Sequence, residues 1–229
     1  MDFSKFEKQV GVKFKDINLL KQAFTHRSYI NENRKMGLEH NERLEFLGDA
    51  VLELVVTEYL YGKYPKKPEG DLTSYRSALV NSNTLAGIAK VIGVNDFLLL
   101  SRGEAKDTGR GRQYILANTV EAIIGATFID QGYEKAKGFI AKYFLPLIED
   151  IVAQGSWIDA KSKFQEKAQE NEGITPNYKT IKEVGPDHDR HFTVGLFLGD
   201  KQIATGDGRS KQDAEQKAAE NGLKQKGWG

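Results

Sequence analysis

The chain has 229 residues, 39% hydrophobic and 28% charged, with no cysteine. That composition suits one large or two smaller globular domains and excludes disulfides, thiolate catalysis and Cys-ligated zinc. No apolar run reaches the ~18 residues of a membrane span, and 33 basic against 32 acidic side chains leave any nucleic-acid binding to local charge clustering.

The opening segment MDFSKFEKQVGVKF lacks an apolar signal core, so no secretory peptide is expected and a cytoplasmic location follows. Asp2–Gln9 reads as a short helix, and Asp16 as the N-cap of a second over Ile17–Phe24. Thr25–Tyr29 reads as a polar break and Asn31–His40 as a loop. A long helix is predicted over Glu42–Tyr61, where Leu44, Leu47, Val51, Leu54 and Val55 recur at helical spacing. Its acids Glu42, Glu45 and Asp49 stand three and four apart on one face, where like charges repel. Such a row is either a solvated acidic face or half of a cation site.

Two prolines and two glycines interrupt the chain between Gly62 and Gly70. A helix capped by Asp71 or Thr73 is then predicted to run to Val91. A brief apolar turn covers Asp96–Leu100, and Ser101–Gly111 reads as a mobile loop. From Gln113 the face Ile115, Leu116, Val120, Ile123, Ile124 and Phe128 predicts a helix that Gly132 stops. Another, Tyr133–Phe144, continues past Pro146 to Val152, with Pro146 as the place for a kink. After the small polar stretch Ala153–Ser156 the pattern changes. A helix over Asp159–Asn171 precedes three strands, Asn177–Val184, His191–Leu198 and Gln202–Asp207, with Gly199-Asp200 as a hairpin turn. Ser210 caps a last helix over Lys211–Leu223. The fold expected is therefore an all-α N-terminal domain (1–152), a linker (153–157) and a C-terminal α+β domain of order α-β-β-β-α (158–229).

Asn118 and Glu121 share a helix face beside the apolar residues Leu116, Val120, Ile123 and Ile124. Should this helix pack against the acidic one, Glu42, Glu45, Asp49, Asn118 and Glu121 would form an all-oxygen donor set. With no Cys and only four His, such a set suits Mg²⁺, Mn²⁺ or Ca²⁺.

The stretch NERLEFLGDAVLELV (Asn41–Val55) is similar to the signature helix of the bacterial ribonuclease III family. The blocks Thr25–Tyr29, Glu69–Leu72, Ala78–Asn81 and Glu121–Ala126 resemble its other blocks, in order. The C-terminal part resembles the double-stranded RNA-binding domain through Pro176-x-Tyr178, Gly185-Pro186-x-His188, Gly206-x-Gly208-x-Ser210-Lys211 and Ala214-Glu215-Gln216-x-Ala218-Ala219. The resemblance covers nearly the whole chain in two independent modules.

It implies an all-helical nuclease domain that dimerises and cuts double-stranded RNA with Mg²⁺, for which Mn²⁺ can substitute. The products would carry 5′-phosphate and 3′-hydroxyl ends with two-nucleotide 3′ overhangs, in rRNA and mRNA processing. Carried over by position, Glu45, Asn118 and Glu121 are metal ligands, and Asp49 and Glu121 catalytic. Glu42 and Glu69 are candidates for the cleft or a second metal. Phe46 matches the aromatic that plugs a socket in the partner subunit, its alternative being an ordinary core phenylalanine. Ser162, Gln165, Glu166 and Gln169 on the first helix of the second domain, His188 at a loop tip and Lys211 at a helix N-terminus match RNA contacts.

The chain departs from the family at Asn118, where the pattern has Asp. The rival reading is a double-stranded RNA-binding protein that cuts weakly or not at all for want of that charge. A second departure is Gln212, where the family often has a further lysine; it implies weaker RNA binding or a lower salt slope.

Overall fold

A computed structural model describes residues 2–154, 160–186 and 190–228. The chain divides into two compact units, Met1–Trp157 and Ile158–Gly229. Residues 155–157 of the expected linker lie outside the described residues. Among the described residues no helix is long and apolar enough to cross a membrane.

The first unit is built from helices α1 (Ser4–Val10), α2 (Ile17–Ala23), α3 (Arg27–Glu32), α4 (Glu42–Lys63), α5 (Glu69–Val80), α6 (Ser82–Val91), α7 (Arg102–Lys106), α8 (Arg110–Gln131), α9 (Tyr133–Tyr143) and α10 (Leu147–Gln154). Asp16 caps α2 by accepting from the Asn18 N–H, as its position predicts. The long helices α4 and α8 form the centre. On α4 the buried residues Leu44, Val51, Leu52, Val55, Val56 and Leu60 face inward, and α8 buries every residue from Ile115 to Thr127 except Asn118 and Glu121.

The two helices meet at glycines. A Cβ on Gly48 would stand 1.7 Å from the Glu121 carbonyl oxygen, and one on Gly125 would stand 2.1 Å from that of Leu44. Only residues without a side chain permit this approach, so Gly48 and Gly125 bring the backbones together and carry the flanking side chains with them. At one edge of the unit, the rings of Phe3, Phe6, Phe24 and Phe97 pack with centroids 4.8–6.3 Å apart.

Four local expectations are corrected. Thr25–Tyr29 is not simply a polar break. Thr25 is fully buried and bridges Leu99, and His26 caps α3 by accepting from the Ser28 N–H. The helix predicted to run unbroken to Val91 is two helices, α5 and α6. Asn81 adopts an extended backbone between them and its side chain accepts from Thr84 N–H, capping α6; Asx residues compete with the helix in this way. The helix expected to continue past Pro146 also divides, into α9 and α10. Ser101–Gly111 contains α7 rather than being loop throughout. Ser101 caps it, and the Arg112 guanidinium donates to the carbonyls of Glu104, Ala105 and Asp107.

The second unit has α11 (Ala160–Glu172), the antiparallel sheet β1–β2–β3 (Asn177–Val184, His191–Leu198, Lys201–Gly208) and α12 (Lys211–Lys226). This is the α-β-β-β-α order that the sequence predicts. One face of the sheet carries both helices over a core of Phe164, Ala168, Leu196, Leu198, Ile203, Ala218, Ala219 and Leu223. The Gly-x-Gly before α12 has a steric cause: a Cβ on Gly206 would stand 2.1 Å from Ala218 N, and one on Gly208 would stand 2.5 Å from Ala214 N. Small residues on both elements let α12 lie directly on β3.

Candidate active site

The α4–α8 crossing sets the predicted acids against one another. Burial, with Glu42 and Asp49 nearby, pushes the Glu45 carboxyl above its ordinary range, while a side-chain hydrogen-bonding contact with Asn118 pulls it down. Glu121 is pushed up further, to about 8, first by burial and then by Asp49 and Glu45. Glu42 and Asp49 act on Glu45, Asn118 hydrogen-bonds it, and Asp49 and Glu45 act on Glu121, so these side chains of α4 and α8 lie near one another. Two half-buried carboxyls, each raised by burial and by neighbouring carboxylates, mark a functional-site candidate.

The donor chemistry of this group is all oxygen, which fits a hard divalent ion. Among the described residues no three acidic or histidine side chains converge to the spacing of a preformed metal cage.

Glu42 stands at the N-terminal end of α4 under basic neighbours. Arg27 Nη1 lies 3.6 Å and His40 Nδ1 3.7 Å from its carboxylate oxygens. Arg27 begins α3, whose cap His26 is anchored through the backbone to Leu99 (3.0 Å) and through its ring to the Ser28 hydroxyl (2.8 Å). The Ser28 hydroxyl in turn accepts from Ser101 N–H. Sequence reasoning assigned Arg27 no role; the signal was its place in the Thr25–Tyr29 block. His26 is a capping residue, and burial lowers its pKa.

Glu69 is not gathered into this group within the chain. It sits at the start of α5, accepts from the Thr73 hydroxyl (2.8 Å), and lines a recess with Thr57, Tyr61, Leu72 and Arg76. Phe46 neighbours Glu45 in sequence but projects outward, 82% exposed, with Leu54 and Tyr61 exposed further along the same side of α4. It is not a core phenylalanine.

In the second unit Ser162, Gln165, Glu166 and Gln169 are all exposed, opposite the buried Ala160, Phe164 and Ala168, and line one shallow depression with Glu170. Lys211 opens α12, whose N-cap Ser210 accepts from Asp213 N–H, and its ammonium lies 5.7 Å from the centre of the Phe192 ring. His188 lies outside the described residues.

A family profile described as Ribonuclease-III-like matches residues 16–148, and one described as Double-stranded RNA binding motif matches residues 160–226. The chain is 46% identical over 214 residues to a protein named Ribonuclease 3 of Streptococcus pneumoniae (strain P1031), covering 93% of this chain and 91% of that one. It is 45% identical to the Ribonuclease 3 of Enterococcus faecalis (strain ATCC 700802 / V583) over 221 residues, 96% of each chain. The solved nuclease domain of Ribonuclease III from Campylobacter jejuni superposes with a TM-score of 0.57 at 44% identity, covering 65% of this chain and 97% of that one. With both modules matched and relatives of this identity aligned over nearly its whole length, the chain belongs to the ribonuclease III family of endoribonucleases.

Proposed function

We propose that the chain is a homodimeric, Mg²⁺-dependent endoribonuclease that hydrolyses double-stranded RNA, leaving 5′-phosphate and 3′-hydroxyl ends with two-nucleotide 3′ overhangs. The observation that carries this reading is the Glu121 carboxyl. It sits half-buried against Asp49 and Glu45 and is pushed up to about 8, so its charged form is disfavoured there and a bound cation would restore it. Bound there, Mg²⁺ would lower the pKa of a coordinated water and stabilise the charge developing on the leaving oxygen.

The residues divide the work. Glu45 and Glu121 hold the ion, with the Asn118 side chain completing the set from the same face of α8. Asp49, one turn beyond Glu45, orients the attacking water through its carboxylate. Water adds to phosphorus and the 3′-oxygen departs, which leaves a 3′-hydroxyl on the upstream fragment and the phosphate on the 5′ end of the downstream fragment. The contact between Asn118 and Glu45 fixes the Glu45 carboxylate; Asn keeps the oxygen of the family's Asp but brings one negative charge fewer. Glu42, paired with Arg27 and His40, stands at the rim.

The exposed Phe46 supports pairing of two chains through α4. The similar nuclease domain from Campylobacter jejuni has structural flexibility in a region involved in its dimer formation, so pairing through this domain has a precedent in a relative. The C-terminal unit grips the duplex by shape: α11 presents Ser162, Gln165, Glu166 and Gln169 to a minor groove, and Lys211 meets phosphate at the start of α12. Glu69 would act from the recess on α5, as a contact to substrate or to a second ion. By family, the substrates are duplex segments of ribosomal and messenger RNA precursors in the cytoplasm.

The test is cleavage of an end-labelled RNA duplex in Mg²⁺, with Ca²⁺ as a non-supporting control. Cut products in Mg²⁺ with 5′-phosphate ends are expected. A gel shift in both ions with no cleavage in either would favour the rival reading of a binding protein disabled at Asn118.

A further inference from the structure

Of the residues from Ile115 to Thr127 on α8, only Asn118 and Glu121 reach the surface. One turn before Asn118, on the same strip of the helix, stands Tyr114, 54% exposed. Positions 114, 118 and 121 follow the i, i+4, i+7 spacing of one helix face. The accessible strip of α8 is thus a row of Tyr114, Asn118 and Glu121 that ends where Gly125 meets α4.

The Tyr114 side chain makes no hydrogen bond, ion pair or ring contact among the described residues, so its hydroxyl has its full donor and acceptor capacity available. The backbone that presents it is fixed on both sides. Arg112 is tied to three carbonyls of the preceding segment, and Gln113 donates to Asn83 on α6 (2.5 Å). Ile115 and Leu116, which follow, are buried in the core. A large aromatic exposed on an anchored helical turn contributes nothing to this unit's core, and the row to which it belongs leads into the acidic constellation.

We infer that Tyr114 is a substrate-positioning residue. Its ring lies against a ribose, and its hydroxyl hydrogen-bonds the sugar–phosphate backbone of the strand being cut, at a nucleotide next to the scissile phosphate. The inference rests on the reading of Glu45, Asp49, Asn118 and Glu121 as the hydrolytic site. Helical side chains lean toward the helix N-terminus, so the Tyr114 hydroxyl points away from Asn118, toward a neighbouring nucleotide rather than the reacting one. The chemistry on offer, a π face and a neutral donor, suits a polyanion that must be held beside a row of acids without adding charge.

The experiment compares the full chain with Tyr114→Phe and Tyr114→Ala in steady-state and single-turnover cleavage of an RNA duplex, across a Mg²⁺ series. Loss of one neutral hydrogen bond predicts a KM raised about five-fold for Tyr114→Phe. A larger rise is expected for Tyr114→Ala, with kcat within about two-fold of the unaltered chain and the Mg²⁺ midpoint unmoved. A duplex carrying one methylphosphonate beside the cut should raise the KM of the unaltered chain and leave that of Tyr114→Phe little changed, as expected for two changes that remove the same contact. Unaltered KM in both variants, with the unaltered chain active, would overturn this inference alone. A fall in kcat with a shifted Mg²⁺ midpoint would also overturn it, by placing Tyr114 in the ion site. No cleavage by the unaltered chain would overturn both this inference and the reading on which it rests.

Discussion

Gly48 lies directly against the main chain of Glu121, so closely that a methyl group there would stand 1.7 Å from the Glu121 carbonyl oxygen. The contact joins architecture to chemistry, because it seats Asp49 and Glu45 beside Glu121. Gly48→Ala is therefore expected to destabilise the first unit at or above the top of the ~1–3 kcal/mol range for overpacked cores. Gly62→Ala, in the same helix with nothing within 4 Å of its Cβ position, should instead gain about 0.5–1 kcal/mol. Urea unfolding of the two variants separates packing from helix propensity.

The Glu121 carboxyl, ordinarily near 4.5 and here about 8, fixes the sign of a pH effect. Between those values the folded chain binds a proton that the unfolded chain does not, so stability falls as pH rises through the window. Glu45, also raised, acts in the same direction. In urea unfolding without divalent ions, Glu121→Gln should flatten the decline between pH 5 and pH 9 and be the more stable protein at the alkaline end. Parallel profiles for the two proteins would contradict the assignment.

Phe46 is exposed on the single chain, so its removal should leave the fold of that chain intact while abolishing association. Phe46→Glu is expected to scatter light as a monomer at micromolar concentration, with an unchanged helical spectrum. A dimer of undiminished mass would remove Phe46 from the interface.

Lys211 tests the RNA-binding module by itself. Lys211→Ala should weaken duplex binding for all sequences alike and reduce the slope of log K against log salt by about one. Gln165→Ala, which carries no charge, should weaken binding with the slope unchanged. Electrophoretic titrations at several salt concentrations measure both.

Much of this was legible in the residues because the signals are local and periodic. The apolar stripe of α4, the alternation in β1 and β2 and the caps Asp16 and Ser210 each follow from side chains a few positions apart. The acids on α4 and the pair Asn118 and Glu121 could be matched once both helices were recognised. What was illegible depends on contacts distant in sequence. Gly48 reads as a weak point in a helix until Glu121 is seen behind it. The five residues of α7 are too few to form a helix by propensity and rely on the Arg112 guanidinium. Asn81 breaks a continuous helical pattern through its own side chain. The sequence does not say where Glu69, a candidate for the cleft or a second metal, is carried; α5 sets it in a recess beside Thr57 and Tyr61.

The proposed activity depends above all on a Mg²⁺ ion held by the α4–α8 acids with an amide in place of one carboxylate. A Mg²⁺ titration of cleavage on a plain RNA duplex, comparing the unaltered chain with Asn118→Asp, bears on that ion without intermediaries. Changes to a ligand's supporting group are typically worth about 10–100-fold in metal affinity or activity. Both proteins should therefore cut, and Asn118→Asp should need about ten-fold less Mg²⁺. Absence of Mg²⁺-dependent products from both proteins at every concentration would contradict the proposed site.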